Sequence, residues 1–383
     1  MSRPALRPMR ALPLLEARRG ALEKCVFCPK LCRSACPVSN AEPRETVTPW
    51  GKMTAAWMGA HGDTPMSASH AASAWACTGC YGCREACDHH NPVADVLLDA
   101  RAALSSAGVA PAAAVRVLSR FAQHDVATRG RARALSSEPG PRSGAQAALL
   151  VGCAYLRDAP AEARHALDAA RALLRGPVRV VEGCCGLPLK LAGDASRFET
   201  HARGLAREVA ELPRVVVVDA GCALTLRRHY PAAGVQLPQV ELLVEAAARR
   251  LAALSPVAPD TQEPIRWHDP CQLGRGLGIY DEPRAVLARA TGRPVDELRD
   301  NRQQAPCSGA GGLLPCTMPD VARTIADGRL DEHRMSGGGR VVTGCASSLV
   351  ALRKQARSSG AAVDDIVTYI ARSLGAAQPR RSS

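Results

Sequence analysis

Aromatic residues are scarce in this chain: three Phe, five Tyr and four Trp among 383 residues, or 3%. Single-stranded nucleic acid is bound by a basic groove with interleaved aromatic rings, and twelve rings do not supply one. The formal charge of +13 is therefore not assigned to nucleic acid. No apolar run reaches the ~18 residues that span a bilayer. In the basic start MSRPALRPMRALPLLEARRG, LPLL is shorter than the roughly 7–15-residue core of a secretory signal. Lysine is nearly missing, at positions 24, 30, 52, 190 and 354 only. The positive charge is arginine, concentrated near both termini and around 129–143, as solvated faces usually are. An acidic protein partner or the surface of an anionic membrane complex suits it. Sixteen cysteines fall short of the roughly 8–10% of a disulfide scaffold. These absences predict a cytoplasmic chain with reduced thiols, in which the cysteines have another use, metal first. A hydrophobic fraction of 46% excludes wholesale disorder, and the length predicts two or three domains.

Eight cysteines lie in two runs. The second, Cys77, Cys80, Cys83 and Cys87, reads C-x2-C-x2-C-x3-C, the spacing of bacterial ferredoxins, in which the fourth cysteine ligates the other cluster. Gly79 and Gly82 permit a tight turn whose N–H groups face the sulfurs. The first, Cys25, Cys28, Cys32 and Cys36, followed by Pro37, has one extra residue in its middle gap. The expected assignment is crossed: one [4Fe–4S] cluster on Cys25, Cys28, Cys32 and Cys87, the other on Cys77, Cys80, Cys83 and Cys36. Two zinc ions are the competing reading, but zinc sites usually pair two C-x2-C knuckles. His89 and His90 read as a solvated turn. Trp50, Met53, Trp57 and Met58 predict helices covering the clusters, and Val93, Val96, Leu97, Ala100 and Leu104 one face of a packed helix. Residues 21–107 are thus expected to form a helical double-cluster domain. A short helix over Ala112–Phe121 and then a linker are expected within 108–147, where Pro, Gly, Ser and Arg break the period.

The remainder repeats itself. Cys184 and Cys307 are 123 residues apart, as are Cys222 and Cys345, while Cys153 and Cys271 are 118 apart. ALLVGC answers IRWHDPC, EGCCGLP answers APCSGAGG, and VVVVDAGC answers RVVTGC, which is duplication. Short apolar strands alternate with helical stretches such as AEARHALDAARALL, predicting α/β units with parallel sheets. Each cysteine is placed after a strand, at the carboxyl end where such folds carry their sites.

Cys, then Cys-Cys-Gly, then Gly-Cys, twice over, with WHDPCQLGRGLGIYDEPRAVL and CSGAGG in the second copy, resembles the cysteine-rich "CCG" domain. That domain occurs twice in two of the subunits of heterodisulfide reductase, in the glycolate oxidase iron–sulfur subunit, in one subunit of anaerobic glycerol-3-phosphate dehydrogenase and in the lactate-utilisation iron–sulfur protein. The resemblance covers most of residues 21–375, with repeats at 148–254 and 265–375. It implies a helical double-cluster ferredoxin-like module followed by tandem repeats where electrons pass to or from a substrate, a quinone or a partner flavoprotein. The family's fullest form ends each repeat in C-x2-C. Here Thr225 and Ser348 stand in the last position, and Ser308 stands where a second adjacent cysteine is expected. Repeat one keeps Cys153, Cys184, Cys185 and Cys222, enough for a third cluster. Repeat two keeps Cys271, Cys307 and Cys345, with Cys316 as a substitute.

His268, Asp269, Asp219 and Gly221 are expected to shape turns. GRGLG at 274–278 lacks G-x-G-x-x-G spacing, so nucleotide binding is not expected. Neither a flavin nor a nicotinamide fingerprint appears. The expectation is an electron-transfer subunit, cytoplasmic or peripheral on the inner membrane face through its partners. It would relay electrons from a flavin-dependent dehydrogenase of glycolate, lactate or glycerol-3-phosphate type to a quinone or other acceptor. The alternative is a disulfide or quinone reductase acting through Cys184 and Cys185.

Overall fold

The apolar periodicity of VADVLLDARAAL becomes the helix Val93–Ser106, which buries Val93, Val96, Leu97, Ala100 and Leu104. The structure, a computed structural model, describes residues 9–28, 30, 32–136, 144–257 and 263–376. The described chain divides into two units. One takes in the part up to Phe121 with Pro188–Phe198 and Gly309–Ile325; the other takes in Ala122–Leu187, Glu199–Ser308 and the part from Ala326 onward.

The first unit is helical. The helix Pro49–His61 begins under a Thr48 cap, whose hydroxyl accepts from Gly51 N, and Ser67 caps Ala68–Trp75 in the same way. Leu22, Met53, Ala56, Ala71, Trp75, Val96 and Leu97 close one core. The two segments borrowed from the repeats, Pro188–Phe198 and Gly309–Ile325, overlap under the 123-residue offset. Each repeat thus lends the first unit the stretch that follows its Cys184 or Cys307 position. The reason is apolar: Leu314, Val321, Ala322 and Ile325 pack with Cys36, Val38, Val47 and Ala76.

Arg101 locks these segments together. It is 2% exposed and donates to the carbonyls of Ala74, Leu191, Gly312 and Cys77 at 2.9–3.1 Å. Burial lowers its pKa to about 10, which leaves it charged at neutral pH. Arg101→Met orphans four acceptors and should destabilise the protein by about 3–5 kcal/mol, read as a lowered thermal midpoint. Gly312 explains part of the CSGAGG turn. At φ +64° its absent Cβ would lie 2.0 Å from the Cys77 carbonyl oxygen, so only glycine allows this approach.

The second unit is built on two parallel sheets. The first has the order β2-β1-β3-β4, from Val178–Val180, Ala147–Leu150, Arg214–Val217 and Gln239–Leu242; the second has β5-β6-β7, from Ile265–Trp267, Arg340–Thr343 and Ala362–Asp365. Duplication is visible in the topology. β5, β6 and β7 repeat β1, β3 and β4, and a single parallel bridge between Arg266 and Asp296 stands where β2 pairs with β1. Cys307 therefore follows a 3-10 turn, Arg302–Gln304, rather than the strand expected from the repeat.

The largest departure lies in the expected linker. Ala112–Ser136 is one helix of 25 residues; residues 137–143 of that stretch lie outside the described residues. Its buried positions are Ala114, Phe121, Thr128, Ala132 and Leu135. They recur at helical spacing, but Ala and Thr carry little hydrophobic contrast, so the stripe hides among arginines.

The repeats share buried polar contacts. The Tyr155 hydroxyl donates to Asp365 Oδ2 at 2.7 Å, and Asp219 Oδ1 accepts from Ala346 N at 3.0 Å. Burial pushes the Asp365 carboxyl up to about 7. A raised folded-state pKa means that its stabilisation is complete below about 4 and is lost as pH rises through 7. Asp365→Asn should therefore flatten the fall in urea midpoint between pH 5 and 8, removing a dependence on the order of 3 kcal/mol. An unchanged slope in the variant would refute this.

Candidate metal centres

Cys25 ends the helix Arg19–Val26, Cys36 caps Pro37–Ala41, and Cys83 sits in the turn Gly82–Glu85. Burial pushes the Cys25 thiol up to about 12, followed by the charges of Cys32, Cys87 and Cys28 against the pull of Asn91. Cys32 rises to about 11 through burial, then Cys87 and Cys28. One group is therefore Cys25, Cys28, Cys32 and Cys87. The other lines a single cavity: Cys36, Cys77, Cys80 and Cys83, with Lys52. Chain order is crossed in space, and the groups adjoin, since Cys83 also feels Cys32. Burial, reinforced by neighbouring thiols, raises Cys25, Cys32, Cys77 and Cys83, a cost that a positive core inside each set would offset. Four sulfur donors per set match what [4Fe–4S] clusters use.

Donors aim at these sulfurs. Gly79 N lies 3.4 Å from Cys77 Sγ, Asn91 Nδ2 3.0 Å from Cys25 Sγ and Lys52 Nζ 3.5 Å from Cys36 Sγ. Lys52 is 1% exposed. Burial opposes its charge, yet Cys36, Cys77 and Cys83 leave its pKa raised. Sequence reasoning passed over Asn91 and Lys52; five lysines in an arginine-rich chain were the available signal. His89 and His90 are exposed, as a solvated turn requires.

In the second unit, Cys153 opens the helix Cys153–Asp158. Gly152 precedes it at φ +103°, where an added Cβ would stand 2.9 Å from Asp219 Cβ. Cys222 lies in Ala220–Leu224, capped by Asp219, which accepts from Gly221 N and Cys222 N. Cys184 Sγ is 3.9 Å from Cys153 Sγ. The Cys184 thiol, then His124, lower Cys153 to about 6 against burial. Cys184 and Cys222 lower Cys185 in turn, and themselves rise. The four thiols thus form a connected chain, in which Cys153 and Cys185 are lowered while Cys184 and Cys222 are raised. The Thr225 hydroxyl, at the missing C-x2-C position, donates to the Gly221 carbonyl at 2.7 Å. His124, from the helix read as linker, was not anticipated. Its ring nitrogen and the sulfurs of Cys153 and Cys184 all lie within 4.8 Å of one another.

The second repeat differs. Ser308 and Ser348, the two replaced cysteine positions, are buried and hydrogen-bond each other at 2.9 Å. Burial pushes Cys345 up to about 12, with Asp219 adding to it. Among the described residues, Cys271, Cys307 and Cys345 do not all lie within the 4.8 Å of one another that a single ion would need. Cys316 is exposed and belongs to the first unit, while those three belong to the second. His268 accepts from Arg329 Nε at 3.1 Å, and burial lowers its pKa to about 3. Asp269 accepts from Trp267 Nε1, Arg284 and Arg302 N. Both are turn-building residues. Gly274 of GRGLG lies against the Tyr280 ring, which an added Cβ would meet at 2.5 Å; packing accounts for that glycine.

A helical module with two sets of four thiols, followed by a duplicated parallel α/β unit with cysteines at strand ends, defines an iron–sulfur protein with tandem cysteine-rich repeats. Residues 21–91 match the 4Fe-4S dicluster domain, and residues 147–227 and 265–353 match the cysteine-rich domain. The chain thus carries one 4Fe-4S dicluster domain and two copies of the cysteine-rich domain. It is 27% identical over 285 residues to a fumarate reductase (CoM/CoB) subunit of Methanothermobacter marburgensis, covering 71% of this chain and 55% of that protein. It is 27% identical over 205 residues to a dihydromethanophenazine:CoB--CoM heterodisulfide reductase subunit of Methanosarcina barkeri, covering 51% and 50%. It is also 27% identical over 165 residues to "Probable iron-sulfur-binding oxidoreductase FadF" of Bacillus subtilis, covering 42% and 23%. The chain spans about half the length of the first two. Among the described residues, no helix is long and apolar enough to cross a membrane.

Proposed function

We propose that this chain is the iron–sulfur electron-transfer subunit of an oxidoreductase complex. Cys25, Cys28, Cys32 and Cys87 hold one [4Fe–4S] cluster; Cys36, Cys77, Cys80 and Cys83 hold the other. The clusters supply one-electron storage. The protein groups its thiols, excludes water by burial and tunes each site with the N–H donors of Gly79 and Asn91 and the charge of Lys52. Electrons enter from a flavin-dependent dehydrogenase of glycolate, lactate or glycerol-3-phosphate type and leave to a quinone or other membrane-bound acceptor. Partner binding uses the arginine-rich surface and places the chain on the inner face of the membrane. The thiols of the first cysteine-rich domain are candidates for a third metal group. The observation that carries this reading is the crossed grouping of eight thiols; the relatives named as reductase subunits support it.

Protein prepared without oxygen should hold about eight iron and eight sulfide per chain and show two interacting reduced-cluster signals by electron paramagnetic resonance. An iron-free protein prepared this way would overturn the reading. A second reading, reduction of disulfides or quinones through Cys184 and Cys185, is favoured by the adjacency of these two thiols and by Cys153 Sγ at 3.9 Å from Cys184 Sγ. Turnover with an artificial donor and no partner protein, lost in Cys185→Ser, would select it.

A further inference from the structure

The helix Ala112–Ser136 buries Ala114, Phe121, Thr128, Ala132 and Leu135 on one side. Its opposite side is open. Val115 and Val126 are 50% and 69% exposed there, and Arg116, Arg120 and Arg131 are exposed with them. At 1.5 Å per residue, Arg116 and Arg131 stand about 22 Å apart along the axis.

The charge of this face is one-sided. The helix contains five arginines and one acidic residue, Asp125. Asp125 is turned inward, accepting from Cys184 N at 3.0 Å and from Arg129 Nε at 2.9 Å. Glu182 answers Arg133 at 2.6 Å. Arg116, Arg120 and Arg131 remain as excess positive charge. A helix that lies in a bilayer interface buries Leu, Phe or Trp, whereas this face offers two valines, alanines and Gly130. Nucleic acid is held by stacking rings, and the ring of this helix, Phe121, is buried. Carboxylates on a protein surface are the complement that fits.

We infer that the outer face of Ala112–Ser136 is the docking site of a redox partner protein with an acidic surface. The inference rests on the reading of this chain as an electron-transfer subunit and adds the place of contact. The arginines steer the encounter and set its orientation; the valines give the contact an apolar centre. The inward side of the same helix reaches the thiols of the first cysteine-rich domain, through Asp125 at Cys184 N and His124 beside Cys153 and Cys184. One helix diameter, about 10 Å, therefore separates a docked partner from that group, which is the closeness electron exchange requires.

The test uses the full chain, prepared without oxygen, with a small acidic flavodoxin as the probe. Binding is followed through the amide NMR signals of the flavodoxin at low salt. The triple variant Arg116→Gln, Arg120→Gln, Arg131→Gln should bind at least about tenfold more weakly, and Val126→Ser about threefold. Arg289, Arg299 and Arg323 are exposed elsewhere; changing all three to Gln removes equal charge and should leave binding as in wild type. Salt at about 0.5 M should erase the difference between the first triple variant and wild type. Equal weakening by both triple variants would overturn the inference by reducing it to net charge, as would a flavodoxin that does not bind wild type. Tighter binding of wild type to vesicles of phosphatidylcholine and phosphatidylglycerol than to flavodoxin, lost in the first triple variant, would overturn it in favour of a bilayer. Iron per chain separates this inference from the one beneath it. About eight iron with unaltered binding in the first triple variant counts against the docking face alone. Iron-free protein whose binding still falls in that variant counts against the clusters alone.

Discussion

Cys87→Ser removes the same cluster as Cys28→Ser, and Cys36→Ser removes the same one as Cys80→Ser. Each variant is expected to fall from about eight iron per chain to about four and to lose one of two paramagnetic signals. The expected pairing rests on two observations: the charge of Cys87 acts on Cys25 and Cys32, and Cys36 lines one cavity with Cys77, Cys80 and Cys83. If each run held its own cluster, Cys36→Ser would instead strike the cluster of Cys28. Comparing the surviving signals of Cys28→Ser, Cys36→Ser and Cys87→Ser decides between the two topologies. A matching spectrum from Cys36→Ser and Cys28→Ser would sink the crossed arrangement.

Lys52→Met should lower the reduction potential of the cluster at Cys36, Cys77, Cys80 and Cys83. The sign follows from charge. Reduction adds an electron to a site already negative, and a buried cation 3.5 Å from one of its sulfurs favours that state. Removing the cation therefore disfavours it. A unit charge about 4 Å away, through an effective dielectric of ~20, contributes about 4 kcal/mol, or on the order of 180 mV for one electron. A redox titration followed by paramagnetic resonance measures the shift, and Lys52→Arg, which retains the charge, should stay close to wild type. A rise in potential, or a shift under about 20 mV, would refute the electrostatic role. The cluster at Cys25 should barely respond, because its nearest donor is the neutral Asn91.

Cysteine spacing made much of this legible. A ligand run is local chemistry, and C-x2-C-x2-C-x3-C carries its reach with it whatever the surrounding fold. Duplication was legible for a similar reason: the 123-residue offset survives loop changes, and β5, β6 and β7 do repeat β1, β3 and β4. Ser308, Ser348 and Thr225 were visible as substitutions, but not their consequences. That Ser308 and Ser348 satisfy each other's hydroxyls in a buried site is a fact of distance, not of spacing.

Composition and motif by themselves determined that this chain is an iron–sulfur protein with a helical module and two parallel α/β repeats, because thiol spacing and strand–helix alternation are short-range properties. The tertiary structure alone decided where His124, Lys52 and Arg101 act. His124 rides on a helix whose buried stripe of Ala114, Thr128 and Ala132 looks like any arginine-rich tether. Lys52 is an ordinary helical lysine until folding removes its water and leaves it facing three thiols. Arg101 becomes a lock only when carbonyls from residues 74, 77, 191 and 312 converge on one guanidinium. In each case the deciding quantity is desolvation beside a partner distant in sequence, and chain order carries no measure of that.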